Sequence, residues 1–330
     1  MRFNRETLSA VMRAMERERQ ERENAFERRR QEVYARIPQI RAIDQKLSGT
    51  AASVLRAALE SGDDPTAEVE RLRDDNLRQQ AERGELLVRA GYPTDYLTYR
   101  PACELCWDTG YQGASPCACL RRRYAEKLTA DLSTILPIAD QNFDSFRIDY
   151  YSDRPDGRFG MSPRDIMTYN YQQCLTYAQS FGPQAGNLLL FGSTGLGKTF
   201  LSTSIAKHIS EQGFSVACDT AIQIFGSYES IKFNSADATE ASARVRKYEN
   251  ADLLIIDDLG TEMQTAFTIS AFYSLLSTRL MKRRPMIVNT NLQPDELEKR
   301  YSAAIASRLR GEFRPLRFIG EDIRMLRRKS

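Results

Sequence analysis

The segment Asn187-Leu-Leu-Leu-Phe-Gly-Ser-Thr-Gly-Leu-Gly-Lys-Thr199 constrains this chain more than any other. It reads as a buried strand, then a glycine loop, then the start of a helix. That order suits a site for nucleotide phosphates. Gly192, Gly195 and Gly197, with Ser193, Thr194 and Leu196 between them, leave backbone amides free to curl around phosphate oxygens. Lys198 adds a mobile positive charge toward the β and γ phosphates, and the Thr199 hydroxyl is a magnesium ligand.

A second segment completes the pattern about sixty residues downstream. In Asp252-Leu-Leu-Ile-Ile-Asp-Asp-Leu-Gly260 four apolar residues make a central parallel strand, buried on both faces. Two carboxylates stand at its carboxyl end, the edge where such sheets bind ligands. Asp257 is placed to hold magnesium together with Thr199, and Asp258 to orient or deprotonate an attacking water. A third strand, Pro285-Met-Ile-Val-Asn-Thr-Asn291, ends in amides. Asn291 is the choice for reaching the γ phosphate or the water, with Asn289 the alternative, because a one-residue register change swaps the inward side chain. Asn291 could instead cap a helix around Asp295 to Tyr301.

From Asn187 onward strands and helices alternate: strand 187–191, helix 198–212, strand 214–218, strand 252–256, helix 265–282 and strand 285–290. This predicts a doubly wound α/β architecture with a parallel sheet. A helix over 164–180 precedes the first core strand, after a loop rich in Asp, Pro and Gly from Tyr150 to Pro163.

The chain has 330 residues, room for two or three domains, with 28% charged residues and a net charge of +3. No apolar run approaches the ~20 residues needed to span a membrane. Residues Met1 to Gln20 are dense in Arg and Glu with no signal-peptide core, so a cytoplasmic location is expected. Basic residues gather locally, in Arg121 to Arg123 and from Arg324 to Lys329.

Four of the six cysteines cluster as Cys103-Glu-Leu-Cys106 and Cys117-Ala-Cys119. In a reducing compartment that clustering favours a metal over disulfides, and four thiolates suit tetrahedral structural zinc. The C-x-C pair is tighter than usual, so redox-active or free thiols stay open. Gly110, Gly113 and Pro116 supply turns. Cys174 and Cys218 are expected in the core or on a helix face, and the lone His208 on a solvated helix face. Residues 1–97 are helix-rich: Val33, Ile37, Ile40, Ile43 and Leu47 form one apolar helical stripe, and Leu8, Val11, Met12 and Met15 a shorter one. Turns are expected at Ser48-Gly49 and over Ser61 to Pro65. A self-contained bundle and a partner-docking domain both fit this pattern.

A phosphate loop alone does not separate classes of nucleotide enzyme. No Asn-Lys-x-Asp guanine motif is present, nor a Ser-Gly-Gly-Gln signature of transporter ATPases, and no substrate lid of a small-molecule kinase can be located. The segment Arg300 to Arg310 places Arg308 and Arg310 at a helix end before Gly311, where an arginine can reach a neighbouring subunit's γ phosphate.

These residues resemble the bacterial helicase loaders of the DnaC and DnaI type, in the AAA+ group that includes the IstB transposition helper ATPases. The resemblance runs through Cys103 to Tyr111, Cys117 to Leu120, Asn142-Phe-Asp-Ser-Phe146, Gly192 to Thr199, Leu253 to Glu262, Thr290-Asn-Leu292, Ile305 to Leu309 and Gly320 to Arg324. It implies an AAA+ P-loop domain over 140–330, preceded by a helical domain (1–97) and a zinc module (98–125). It further implies binding to a replicative DnaB-type helicase and to single-stranded DNA, with ATP as an assembly switch and self-association through the ATP site. By the same resemblance Arg308 is an arginine finger and Arg324 lies near the nucleotide. The pair Asp257-Asp258 departs from the commoner Asp-Glu, and the shorter Asp258 predicts slow hydrolysis. The alternatives are a transposition helper of the IstB type, an ATP-dependent scaffold, and a zinc module that reads DNA through Arg121, Arg122 and Arg123.

Overall fold

The computed structural model describes residues 3–60, 66–133, 141–157 and 160–327. The expected turn over 61–65 and the end of the basic tail, 328–330, lie outside them. The chain divides into two compact units, Met12–Leu120 and Met1–Val11 with Arg121–Ser330. No described helix is long and apolar enough to cross a membrane.

In the first unit, helices α1 (Arg5–Arg36), α2 (Pro38–Glu60) and α3 (Thr66–Arg89) follow one another. The apolar stripe is there, but two helices share it. Val33 and Ile40 are fully buried, Ile37 and Ile43 nearly so, and Leu87 and Leu97 pack with Val33, Ile37 and Ile40 in one cluster. The break falls at Ile37 because Pro38 disfavours helical backbone in the residue before it while fitting the first turn of the next helix. The expected turn at Ser48-Gly49 does not form, and α2 runs through it. A mid-helix glycine costs only about 1 kcal/mol, and the alanine-rich sequence that follows offsets it. Asp44 ties the bundle, accepting from Tyr34 Oη at 2.8 Å and Arg83 Nε at 2.6 Å. A short hairpin, β1 (Tyr111–Gln112) and β2 (Ser115–Pro116), leads into α4 (Ala118–Ser133).

The second unit is built on a five-stranded sheet whose neighbouring strands are all parallel. In chain order come α5 (Pro163–Gln179), β3 (Asn187–Phe191), α6 (Lys198–Glu211), β4 (Val216–Thr220), α7 (Ala221–Lys232), α8 (Ala238–Asn250), β5 (Leu253–Leu259), α9 (Ala266–Met281), β6 (Met286–Thr290), α10 (Pro294–Arg300), α11 (Ala303–Glu312), β7 (Phe313–Arg317) and α12 (Ile323–Arg327). Strand order is β4-β5-β6-β3-β7. Alternate side chains of each strand enter two cores. Leu188, Leu190, Leu253 and Ile255 pack with α5 and α6 residues, whereas Leu189, Phe191, Leu254 and Ile256 pack with residues of α7, α8, α9 and α11. Burial on both faces explains why these strands read as continuous apolar runs. The expected strands and helices are found within a few residues. The structure adds α7 and α8 between 219 and 251, and the edge strand β7. Helix α11 continues through Gly311, which therefore does not terminate it. Cys174 and Cys218 are buried, and His208 is half-buried, only partly solvated, with its ring edge-on to Phe143.

Candidate functional site

Strands β3, β5 and β6 lie side by side with β6 in the middle, so their carboxyl ends bring three polar segments together. After β3 the chain must turn tightly into α6. Gly195 (φ +73°) and Gly197 (φ +90°) take left-handed backbone there, a region that strains residues with a Cβ. Packing adds a second reason. A Cβ on Gly197 would stand 2.9 Å from the Tyr151 hydroxyl, and one on Gly195 would collide with the Asp322 carboxylate. Tyr151 is buried and its hydroxyl donates to the Leu196 carbonyl at 2.9 Å. The amide of Ile323 donates to the Gly195 carbonyl at 3.0 Å. The glycine loop is thus braced from outside by Tyr151 and by the segment around Asp322.

Lys198, only 6% exposed, reaches back over the loop. Its ammonium donates to the carbonyls of Gly192 and Ser193 and to Asn291 Oδ1, each at 2.7 Å. Burial lowers its pKa to about 8, against the opposing pull of Asp258 and Asp257, and Arg324 lowers it further. The Thr199 hydroxyl lies 3.1 Å from Asp257 Oδ2 and 3.2 Å from Oδ1. A hydroxyl and a carboxylate this close can share one hard divalent cation, so the expected magnesium ligands fit that ion.

Asn289 and Asn291 both enter the site, with different tasks. Asn289 is fully buried, and its Nδ2 donates to Asp257 Oδ1 and to Ser202 Oγ, both at 2.8 Å. Its Oδ1 is buried without a partner. Asn291 lies beyond the end of β6 and accepts from Lys198. Strand alternation therefore does not force a choice between the two. Nor does Asn291 cap α10, whose N-cap is Gln293 with Pro294 following.

Asp258 takes left-handed backbone (φ +52°), an unfavourable state for a residue with a side chain, of the kind found at functional sites. Burial, then the Asp257 charge, raise its pKa, while Lys198 and Arg324 oppose. A raised pKa makes the carboxylate a stronger base. The influence of Arg324 on both Lys198 and Asp258 places its charge near this cluster. Arg308 is elsewhere. On α11, its Nη2 donates to the Tyr273 hydroxyl at 3.0 Å, and its guanidinium lies 4.7 Å from that ring's centre. Arg310 pairs with Glu298.

The four cysteines Cys103, Cys106, Cys117 and Cys119 converge, with all sulfurs within 4.8 Å of one another. Cys103 and Cys117 are 3.8 Å apart, and Cys106 and Cys119 3.4 Å. Bonds of ~2.3 Å in a tetrahedron place sulfurs about 3.8 Å apart, so the donor set fits zinc. The Cys106 backbone amide lowers the Cys103 thiol to about 7. Asp108, nearly buried, accepts the amides of Ala102 at 3.0 Å and Cys103 at 2.8 Å, and Arg22 of α1 at 2.9 Å. This carboxylate orients the first knuckle. Sequence reasoning missed Tyr151 and Ser202, which belong to no motif, and gave no task to Asp108 and Asp322, although both lie within the segments Cys103 to Tyr111 and Gly320 to Arg324.

The glycine loop, Lys198-Thr199 and the acidic strand end on a parallel sheet together define a P-loop nucleotide-binding domain. Residues 172–309 match the family described as IstB-like ATP binding protein. Over that span, less than half of the chain, the sequence is similar to the IstB-like ATP binding proteins. Among curated relatives, the chromosomal replication initiator protein DnaA of Campylobacter fetus subsp. fetus is 29% identical over 144 residues, covering 44% of this chain and 32% of the relative. The replicative helicase loader DnaC of Escherichia coli strain K12 is 24% identical over 134 residues, covering 41% and 54%. The chain thus spans about half or less of the length of these relatives. A crystal structure of the DnaC helicase loader superposes with a TM-score of 0.46 at 18% identity, covering 56% of this chain and 99% of that one.

Proposed function

We propose that this chain is an ATP-dependent switch in DNA replication that docks on a ring-shaped replicative helicase of the DnaB type and helps place it on single-stranded DNA. The observation that carries the reading is the division of the site. Lys198, Thr199, Asp257, Asn289 and Asn291 are gathered by direct hydrogen bonds, while Arg308 is held on α11 by Tyr273. Such a site is completed when the arginine of a second copy docks against it, so that self-association and nucleotide state are coupled. The names of the relatives, a helicase loader and a replication initiator, support the setting.

Bound magnesium-ATP would supply the transferable phosphoryl group and the counter-charge for it. Within the chain, Gly192 to Gly197 present amides, Lys198 lends its charge, and Thr199 with Asp257 holds the cation. Asn289 keeps Asp257 oriented. Asp258 takes or steers the water, and its short side chain makes turnover slow. Residues 1–97 form the docking domain, 98–125 a structural zinc module, and 140–330 the ATPase domain.

The test is co-purification of the full chain with the host's replicative helicase, with and without ATP. Retention that depends on ATP and is lost in Lys198→Ala supports the reading. The family's IstB description keeps a second reading, a transposition helper. Recovery of a transposase and no helicase would put that reading first.

A further inference from the structure

Glu262 lies four residues past Asp258 and is 5% exposed, although no expectation assigned it a task. A buried carboxylate is costly unless hydrogen-bonded and paired. Glu262 is both. Its Oε2 accepts the Gly260 amide at 2.9 Å, and its Oε1 accepts the Tyr301 hydroxyl at 2.5 Å and faces Arg300 Nε at 3.6 Å. The Arg300 guanidinium also donates to the Glu262 carbonyl. The intervening loop has little slack. Thr261 donates to the Asp258 carbonyl through its amide at 3.2 Å and its hydroxyl at 2.9 Å. The Leu259 carbonyl accepts Thr290 Oγ1 at 2.6 Å. A side chain on Gly260 (φ +106°) would meet Leu292.

One end of this network is the left-handed Asp258. The other is the Arg300-Tyr301 junction, which directly precedes α11 and Arg308. We propose that Glu262 is a positioning residue for hydrolysis. It holds Asp258 in its left-handed conformation and ties it to the α10–α11 junction, so that the water-orienting carboxylate and the helix bearing Arg308 keep one spacing. The inference rests on the role given above to Asp258. It adds that this role is set through the pairing of buried Glu262 with Tyr301 and Arg300, to which the sequence assigned no task.

The experiment compares Glu262→Gln, Tyr301→Phe, the double variant and Asp258→Asn in the full chain, measuring ATP-analogue affinity by titration and single-turnover hydrolysis. The substitutions are near-isosteric, and a denaturant midpoint checks each fold. Glu262→Gln and Tyr301→Phe are each expected to slow hydrolysis at least about fivefold with affinity unchanged within about twofold. The double variant should be no slower than the worse single one, because groups acting as a unit do not add. Parallel loss of affinity and rate, unchanged rates, or effects that multiply would overturn the inference while leaving the role of Asp258 standing. An Asp258→Asn variant that hydrolyses at the wild-type rate would instead overturn that role, and the inference with it.

Discussion

Lys198 carries a pH dependence that ATP binding must reveal. In the nucleotide-free chain burial holds its pKa at about 8, although Asp257 and Asp258 of β5 pull upward, Arg324 of α12 pushes downward, and Asn291 and two loop carbonyls accept its protons. A triphosphate at the loop binds the ammonium form and raises that pKa. Binding therefore takes up a proton wherever the free lysine is neutral, and affinity falls as pH rises through 8. With a free pKa of about 8, the dissociation constant rises by a factor of 1 + 10^(pH−8), so about tenfold from pH 7 to pH 9, or about 1.4 kcal/mol. For stability the sign is opposite. Between pH 8 and 10.5 the unfolded chain keeps the proton that the folded chain has lost, so nucleotide-free stability gains a rising contribution from this group across that window. The assay is titration of a fluorescent ATP analogue at pH 7, 8 and 9, with Lys198→Met as control. The wild type should weaken stepwise above pH 8, and the variant should bind weakly with a flat profile. An affinity that is flat or improves toward pH 9 in the wild type would refute the reasoning.

Metal analysis of purified protein should find one zinc per chain, lost in Cys106→Ser, with chelation loosening the 103–119 knuckle; four freely titrating thiols and no metal would contradict the four-thiolate assignment. Replacing Asn289 by Ala removes the donor to Asp257 Oδ1 and Ser202 Oγ. Magnesium-dependent hydrolysis should fall at least about tenfold, with magnesium-free nucleotide binding kept, as loss of an orienting partner behind a metal ligand does. An unchanged magnesium dependence would exclude Asn289 as an orienter. Tyr151→Phe deletes a buried hydrogen bond to the Leu196 carbonyl and should cost about 1 kcal/mol in a urea melt while weakening nucleotide binding several-fold. Weaker binding without lost stability would mean that Tyr151 contacts nucleotide, not the loop.

The parts of the site legible in sequence are those whose chemistry and local backbone coincide. Gly192 to Thr199 needs glycine for its turns and a lysine for charge, and Asp257 stands at the end of an apolar strand, so spacing alone locates both. Edge and long-range features were hidden. Strand β7, Phe313–Arg317, carries Pro315 and two arginines, a pattern tolerated because it pairs on one side only, with β3. Asn289 and Asn291 are two residues apart and so fall on the same side by strand alternation, which is why both can enter the site although β6 ends at Thr290. Tyr151, Ser202 and Glu262 act through contacts over tens of residues, and nothing in their neighbours' identity signals that. The Ser48-Gly49 turn failed for the reverse reason: a local breaker signal lost to the helix on either side.

The most direct test of the shared ATP site is hydrolysis by a mixture of Lys198→Ala and Arg308→Ala proteins. Each alone should be nearly inactive, the first lacking its lysine and the second its donated arginine. In an equal mixture, random pairing gives about a quarter of interfaces an intact site facing an intact Arg308, so about a quarter of wild-type activity should return. A mixture no more active than its parts, or an Arg308→Ala protein as active as wild type, would contradict the claim that a second subunit completes the site.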